Sequence, residues 1–248
     1  MSGATRSPAR SGHRSSSLTV AMARLTYPRA GEPLPAPLPP ETRTVGQLVA
    51  ESIRLYGRRF WPSLALGVGP AALGAAATGL HGLARVVVVI ALGAPVASAS
   101  YVGATMIAGE TRGRVPAAFV AGIVAFLPLA VARVVIFPGI YIVVLAWFAL
   151  VGLSVPAVLV EGLPLRRAFR RGAALGRADF VHALGSLATL VITIVLTGLV
   201  LFFLIQSFGD QALHVAAFLA FLVLTPLFFL GAALLYVDQA ARAPRAVP

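Results

Sequence analysis

Five arginines fall within twelve residues: Arg166, Arg167, Arg170, Arg171 and Arg177. At about 100° per residue they fill one side of a helix. Leu165, Ala168, Phe169, Gly172, Leu175 and Gly176 share an arc of roughly 120° on the other side. Guanidinium groups ranked this way attract anionic lipid headgroups, and an apolar arc behind them lets a helix lie in a membrane interface. Pro164 suits the first turn of such a helix. The chemistry expected of the segment is electrostatic. The five arginines contact anionic lipid while Leu165, Phe169 and Leu175 enter the acyl boundary. A plain positive-inside signal would use the same residues.

No other group of residues assembles into a reaction centre. His182 and His214 belong near opposite faces of a membrane, His81 to a short outer loop and His13 to a polar arm, so they share no metal. The chain has no H-E-x-x-H helix, no G-x-S-x-G elbow and no Walker loop. Ser98, Ser100 and Ser154 have no base nearby in sequence, and serine in a membrane helix commonly packs. Cys is absent, which removes a thiol nucleophile, a disulfide framework and a Cys metal site. The expectation is a non-enzymatic chain without catalytic, cofactor or metal residues. Two features leave a second reading open. Thr189, Thr193 and Thr197 recur every four residues as a polar stripe, suited to helix packing or to a substrate groove. Arg133 interrupts a long apolar run, as an anion path or as a side chain snorkelling from a helix end.

The elements that carry these residues follow from composition. Of 248 residues 58% are apolar and 11% charged, against roughly 25% charged in an ordinary soluble domain. That excludes an ordinary cytosolic domain and a wholly disordered chain. A spanning helix needs about 20 apolar residues. Spans are expected at 60–80, 86–109, 180–205 and 213–237. The run 115–160 holds two more, broken at Pro138-Gly139. Pro70, Pro95, Pro128, Pro156 and Pro226 lie inside the spans, as hinges or as ordinary membrane-helix prolines. Ala75-x-x-x-Gly79 and Ala99-x-x-x-Gly103 are pairs of small residues suited to close packing.

Thr44–Phe60 reads as a second amphipathic helix, opened by a capping box at Thr44-Val-Gly-Gln47. Residues 1–43 form a disordered arm rich in Arg, Ser and Pro, with six prolines between Pro28 and Pro40. Met22 offers an alternative start. Residues 44–240 form the membrane domain and 241–248 a short tail. The fold expected is all-α, with six transmembrane helices and two cytoplasmic interfacial amphipathic helices.

Net charge is +12, and every basic residue is arginine. The arginines lie between apolar runs, where the positive-inside rule places them, so nucleic acid is set aside as a partner. Eighteen of the 20 fall on one side of a six-span topology, leaving Arg85 and Arg133 opposite. Both termini are therefore expected in the cytoplasm of a cell-membrane protein.

Several short motifs run through the second half: Pro138-Gly-Ile-Tyr141, Pro156-Ala-Val-Leu-Val-Glu161-Gly, Ala168-Phe-Arg-Arg171, Leu175-Gly-Arg177 and Leu235-Tyr-Val-Asp238. Over residues 44–242 the chain resembles a bacterial family of multi-pass membrane proteins. That family is related to the membrane domain found beside some glycerophosphodiester phosphodiesterases. The resemblance implies six spans; it does not imply phosphodiesterase activity, since that catalytic domain is separate. Gly172 stands where the family often has Ser. Gly57-Arg-Arg-Phe60 and Gly176-Arg-Ala-Asp-Phe180 each join an amphipathic helix to a span, in the manner of an old duplication. The function expected is that of a scaffold or accessory subunit, bound to the lipid bilayer, its anionic headgroups and a membrane-protein partner. The alternatives are a small-molecule or lipid transporter and a membrane enzyme acting on lipid.

Overall fold

The structure is a computed structural model and describes residues 39–133, 137, 139–206 and 210–243, without the side chains of 210–213. The chain divides into residues 1–36 and 37–248. The arm through residue 38, Pro138 and the tail from 244 lie outside the described residues.

Nine α-helices are described: α1 (Val45–Arg58), α2 (Phe60–Thr78), α3 (Gly82–Ala108), α4 (Val115–Ala132), α5 (Ile140–Val151), α6 (Ser154–Glu161), α7 (Leu165–Ala178), α8 (Phe180–Ile205) and α9 (Asp210–Arg242). Six stretches are long and apolar enough to cross a membrane: α2, α3, α4, the α5–α6 pair, α8, and α9 from His214. The protein is an all-α, multi-pass membrane protein. The expected capping box is present at α1. The Thr44 hydroxyl accepts from the Gln47 amide at 3.4 Å, and the Gln47 side chain accepts from the Thr44 amide at 2.7 Å.

One expected span is two helices. Pro156 has no N–H, so the Gly152 carbonyl loses its usual partner four residues on. The Val155 amide reaches that carbonyl instead, at 3.3 Å, and the helix breaks between α5 and α6. A left-handed Gly162 (φ 68°) ends α6.

Aromatic rings hold the centre. Phe126 of α4 lies 4.9 Å from Phe148 of α5 and 5.7 Å from both Tyr101 of α3 and Phe229 of α9, centroid to centroid. Around them serine hydroxyls join neighbouring helices. Ser98 donates to the Phe119 carbonyl at 2.6 Å and Ser100 to the Leu66 carbonyl at 2.8 Å. These serines therefore pack, as expected. The two small-residue pairs behave differently. A Cβ on Gly103 would meet Leu66 at 2.7 Å, whereas beside Gly79 only its own helix is near.

Gly67 marks the closest approach of α2 to α9: a Cβ there would lie 2.0 Å from the Leu222 carbonyl oxygen. Gly67→Val should lower the unfolding free energy in detergent by about 1–3 kcal/mol, because backbone cannot give way like a side chain. Gly74 of the same helix faces open space. Gly74→Ala should instead raise stability, by up to about 1 kcal/mol. Equal effects from the two variants would contradict this helix contact.

Candidate functional site

Most of the charged residues gather at one end of the bundle, where α3, α6 and α9 finish and α2, α4 and α8 begin. Asp179 is the central joint. It separates α7 from α8, and its carboxylate caps α8 by accepting from the His182 amide at 3.2 Å. The same carboxylate accepts from Arg242 at 3.1 Å, and its backbone carbonyl accepts from the Gln239 side chain at 3.4 Å. Arg242 also donates to the Arg43 carbonyl, and Arg43 donates to Asp238 at 2.6 Å. Both partners of this last pair are buried, Asp238 completely. The sequence placed Arg43 in the arm; here it enters the bundle through α9, and α9 itself continues to Arg242 before ending.

A second set of ties joins α6, α7 and α9. Glu161 accepts from Arg171 at 3.1 Å and from the Tyr236 hydroxyl. A third closes the α3–α4 loop on α6. The amides of Arg112 and Gly113 donate to the Leu159 carbonyl at 2.7 and 2.9 Å, satisfying an acceptor that the end of α6 leaves open. Gly113 is required there, since a Cβ would fall 1.8 Å from the Val158 carbonyl oxygen.

These ties position α7. Ala168, Gly172, Leu175 and Gly176 are buried. A Cβ on Gly172 would lie 2.7 Å from the Ser154 amide nitrogen, and one on Gly176 would lie 2.4 Å from the Ala149 carbonyl oxygen. The helix is pressed backbone to backbone against the break between α5 and α6. This corrects the expectation that its apolar arc enters lipid. Leu165 and Phe169 pack on the protein core, and Leu175 is buried in it. Two glycines permit an approach that larger residues would prevent.

The five arginines are not equivalent. Arg166, Arg167, Arg170 and Arg177 are exposed, while Arg171 is half-buried against Glu161. The helical wheel gives the reason. Arg166, Arg170 and Arg177 lie within roughly 40° of one another, and Arg171 sits at the edge of the buried face. The pairing of Glu161 with Arg171 and Tyr236, and of Arg43 with Asp238, is what sequence reasoning missed. The only signal was the presence of four of these residues, all but Arg43, in the motifs that carry the family resemblance.

The threonine stripe presents no spare hydroxyl hydrogens. Thr189, Thr193 and Thr197 donate back to the carbonyls of Gly185, Thr189 and Thr193, each at 2.8 Å. Among the described residues no group of three or more His, Asp or Glu is placed to hold a metal ion.

Asp238→Ala removes a carboxylate from a buried guanidinium and should cost about 3 kcal/mol of stability. Glu110→Ala breaks the Arg112–Glu110 pair, whose side chains are 77% and 90% exposed, and should leave the melting temperature unchanged. Thermal unfolding of both variants in one detergent checks the contrast.

Comparison with known proteins gives no match to a family model, to a curated protein or to a solved structure.

Proposed function

We propose that this chain is a non-enzymatic protein of the cell membrane that acts as a scaffold or accessory subunit through a cationic helix held at the cytoplasmic interface. One observation carries the reading. α7 is docked through its glycine face and turns four exposed arginines, Arg166, Arg167, Arg170 and Arg177, away from the protein. A row of cations fixed in direction beside two spans is suited to anionic headgroups and to the acidic surface of a membrane partner. The inward bonding of the threonine stripe favours this reading over a polar transport groove.

The proposal has both ends of the membrane domain in the cytoplasm, and the asymmetry of arginine between the spans supports that orientation through the positive-inside rule. The native chain has no Cys, so Arg112→Cys provides a single label site. A membrane-impermeant maleimide should react with it in inverted vesicles and not in intact cells. Reaction from outside would reverse the orientation.

Replacing Arg166, Arg167, Arg170 and Arg177 with Gln should lower the anionic lipid that co-purifies with the protein and flatten the salt dependence of its retention. Each arginine near such a leaflet is worth about 1 kcal/mol. Arg171→Gln should behave differently, lowering stability through loss of the Glu161 pair while retaining the lipid. Unchanged lipid content in the fourfold variant would sink the proposal.

A further inference from the structure

A cavity of about 450 Å³ lies between α8 and the α2–α5 and α9 walls. That volume falls within the roughly 300–1,000 Å³ of small-molecule sites. Its walls are almost entirely aliphatic and aromatic, and among the described residues Arg133 is the one charged residue lining it. Arg133 directly follows α4 and is exposed, and Tyr141 lines the cavity with it. No carboxylate among the described residues forms an ion pair with it.

The cavity also opens sideways. Ile142, Ile192, Val195 and Phe221 line it, yet each remains exposed at the protein surface, facing hydrocarbon in a bilayer. α8 is the thinly packed wall: only 6% of its most apolar stretch is buried.

Depth identifies the occupant. Arg133 lies 18 residues along from Val115, which is about 27 Å from the charged end at 1.5 Å per residue. The deepest lining residue on α8, Ala188, lies eight residues from Phe180, or about 12 Å. The cavity therefore runs for about 15 Å, half of the ~30 Å hydrocarbon core and the reach of one leaflet's acyl chain.

We infer that this cavity holds one acyl chain of an anionic phospholipid from the leaflet opposite α7, with the headgroup phosphate on Arg133. The chemistry follows from the walls. A chain fills an apolar slot that water would not wet, while a phosphate at the rim meets the guanidinium of Arg133. A zwitterionic lipid offers the same chain but a weaker net attraction. The site is independent of the α7 arginines, at the other face of the membrane.

Native mass spectrometry tests it on the full chain carrying Gln at 166, 167, 170 and 177, so that lipid held by α7 is not counted. The protein is offered equimolar phosphatidylglycerol and phosphatidylcholine in detergent, then stripped of loose lipid. One retained lipid is expected, with an about fivefold preference for phosphatidylglycerol, the effect of one cation beside an anionic headgroup. Arg133→Gln should abolish the preference and keep the adduct. Ala188→Phe and Val191→Phe each place a ring in the cavity and should expel both lipids, two variants guarding against a folding failure in either. An absent adduct in the parent, a preference that survives Arg133→Gln, or an adduct that survives a folded cavity-filling variant overturns the inference.

Discussion

A backbone carbonyl released inside hydrocarbon has no water to bond, and each one left open costs several kcal/mol. Much of this structure follows from how such carbonyls are answered. Hydroxyls meet the same constraint, and the threonines of α8 donate back to their own helix. Ser98 and Ser100 reach across to carbonyls of α4 and α2. Where Pro156 breaks a span, Val155 takes over the Gly152 carbonyl, and the α3–α4 loop supplies two amides to Leu159 a turn later. The break is therefore kept where other backbone can serve it. It also supplies the seat for α7, whose two glycines come within touching distance of Ala149 and Ser154.

Charge is handled by the same economy of position. Asp179, Asp238 and Glu161 sit near one end of the bundle, where four arginine and tyrosine partners converge on them. A buried ion pair is weak evidence for net stability, since desolvation offsets much of the attraction. Its effect here is on register. Arg43, Asp179, Asp238 and Arg242 together hold the start of α1, the α7–α8 joint and the end of α9 in one arrangement. The two joints that lead from the flanking helices into spans are alike. Each is a single non-helical residue, Arg59 (φ −121°, ψ 47°) or Asp179 (φ −141°, ψ 68°), after a 14-residue helix and before a phenylalanine.

Span number and most boundaries were legible in the sequence, because about 20 apolar residues between arginines leave few alternatives. Thr44-Val-Gly-Gln47 gave the start of α1 for a local reason, a cap needing only three residues' spacing. What depended on partners far along the chain was not readable. Gly172 and Gly176 looked like members of an apolar arc, and nothing in their own segment distinguished lipid from the backbone of α5. Arg171 looked like its four neighbours until Glu161 stood beside it. The span split at Gly152 was hidden because Pro156 also fits an intact membrane helix.

The Arg43–Asp238 pair joins positions 195 residues apart. Ribosomes add about 5–20 residues per second, so Asp238 is made some 10–40 seconds after Arg43. During that interval α2 through α8 are made, and the face of α2 at Gly67 waits for Leu222 of α9. Among the described helices, the last to be synthesised, α9, is the one against which the first, α1, is registered. Assembly of the charged end is therefore a closing event that waits for the last turns of α9, and a ribosome stalled before codon 238 would leave that end open.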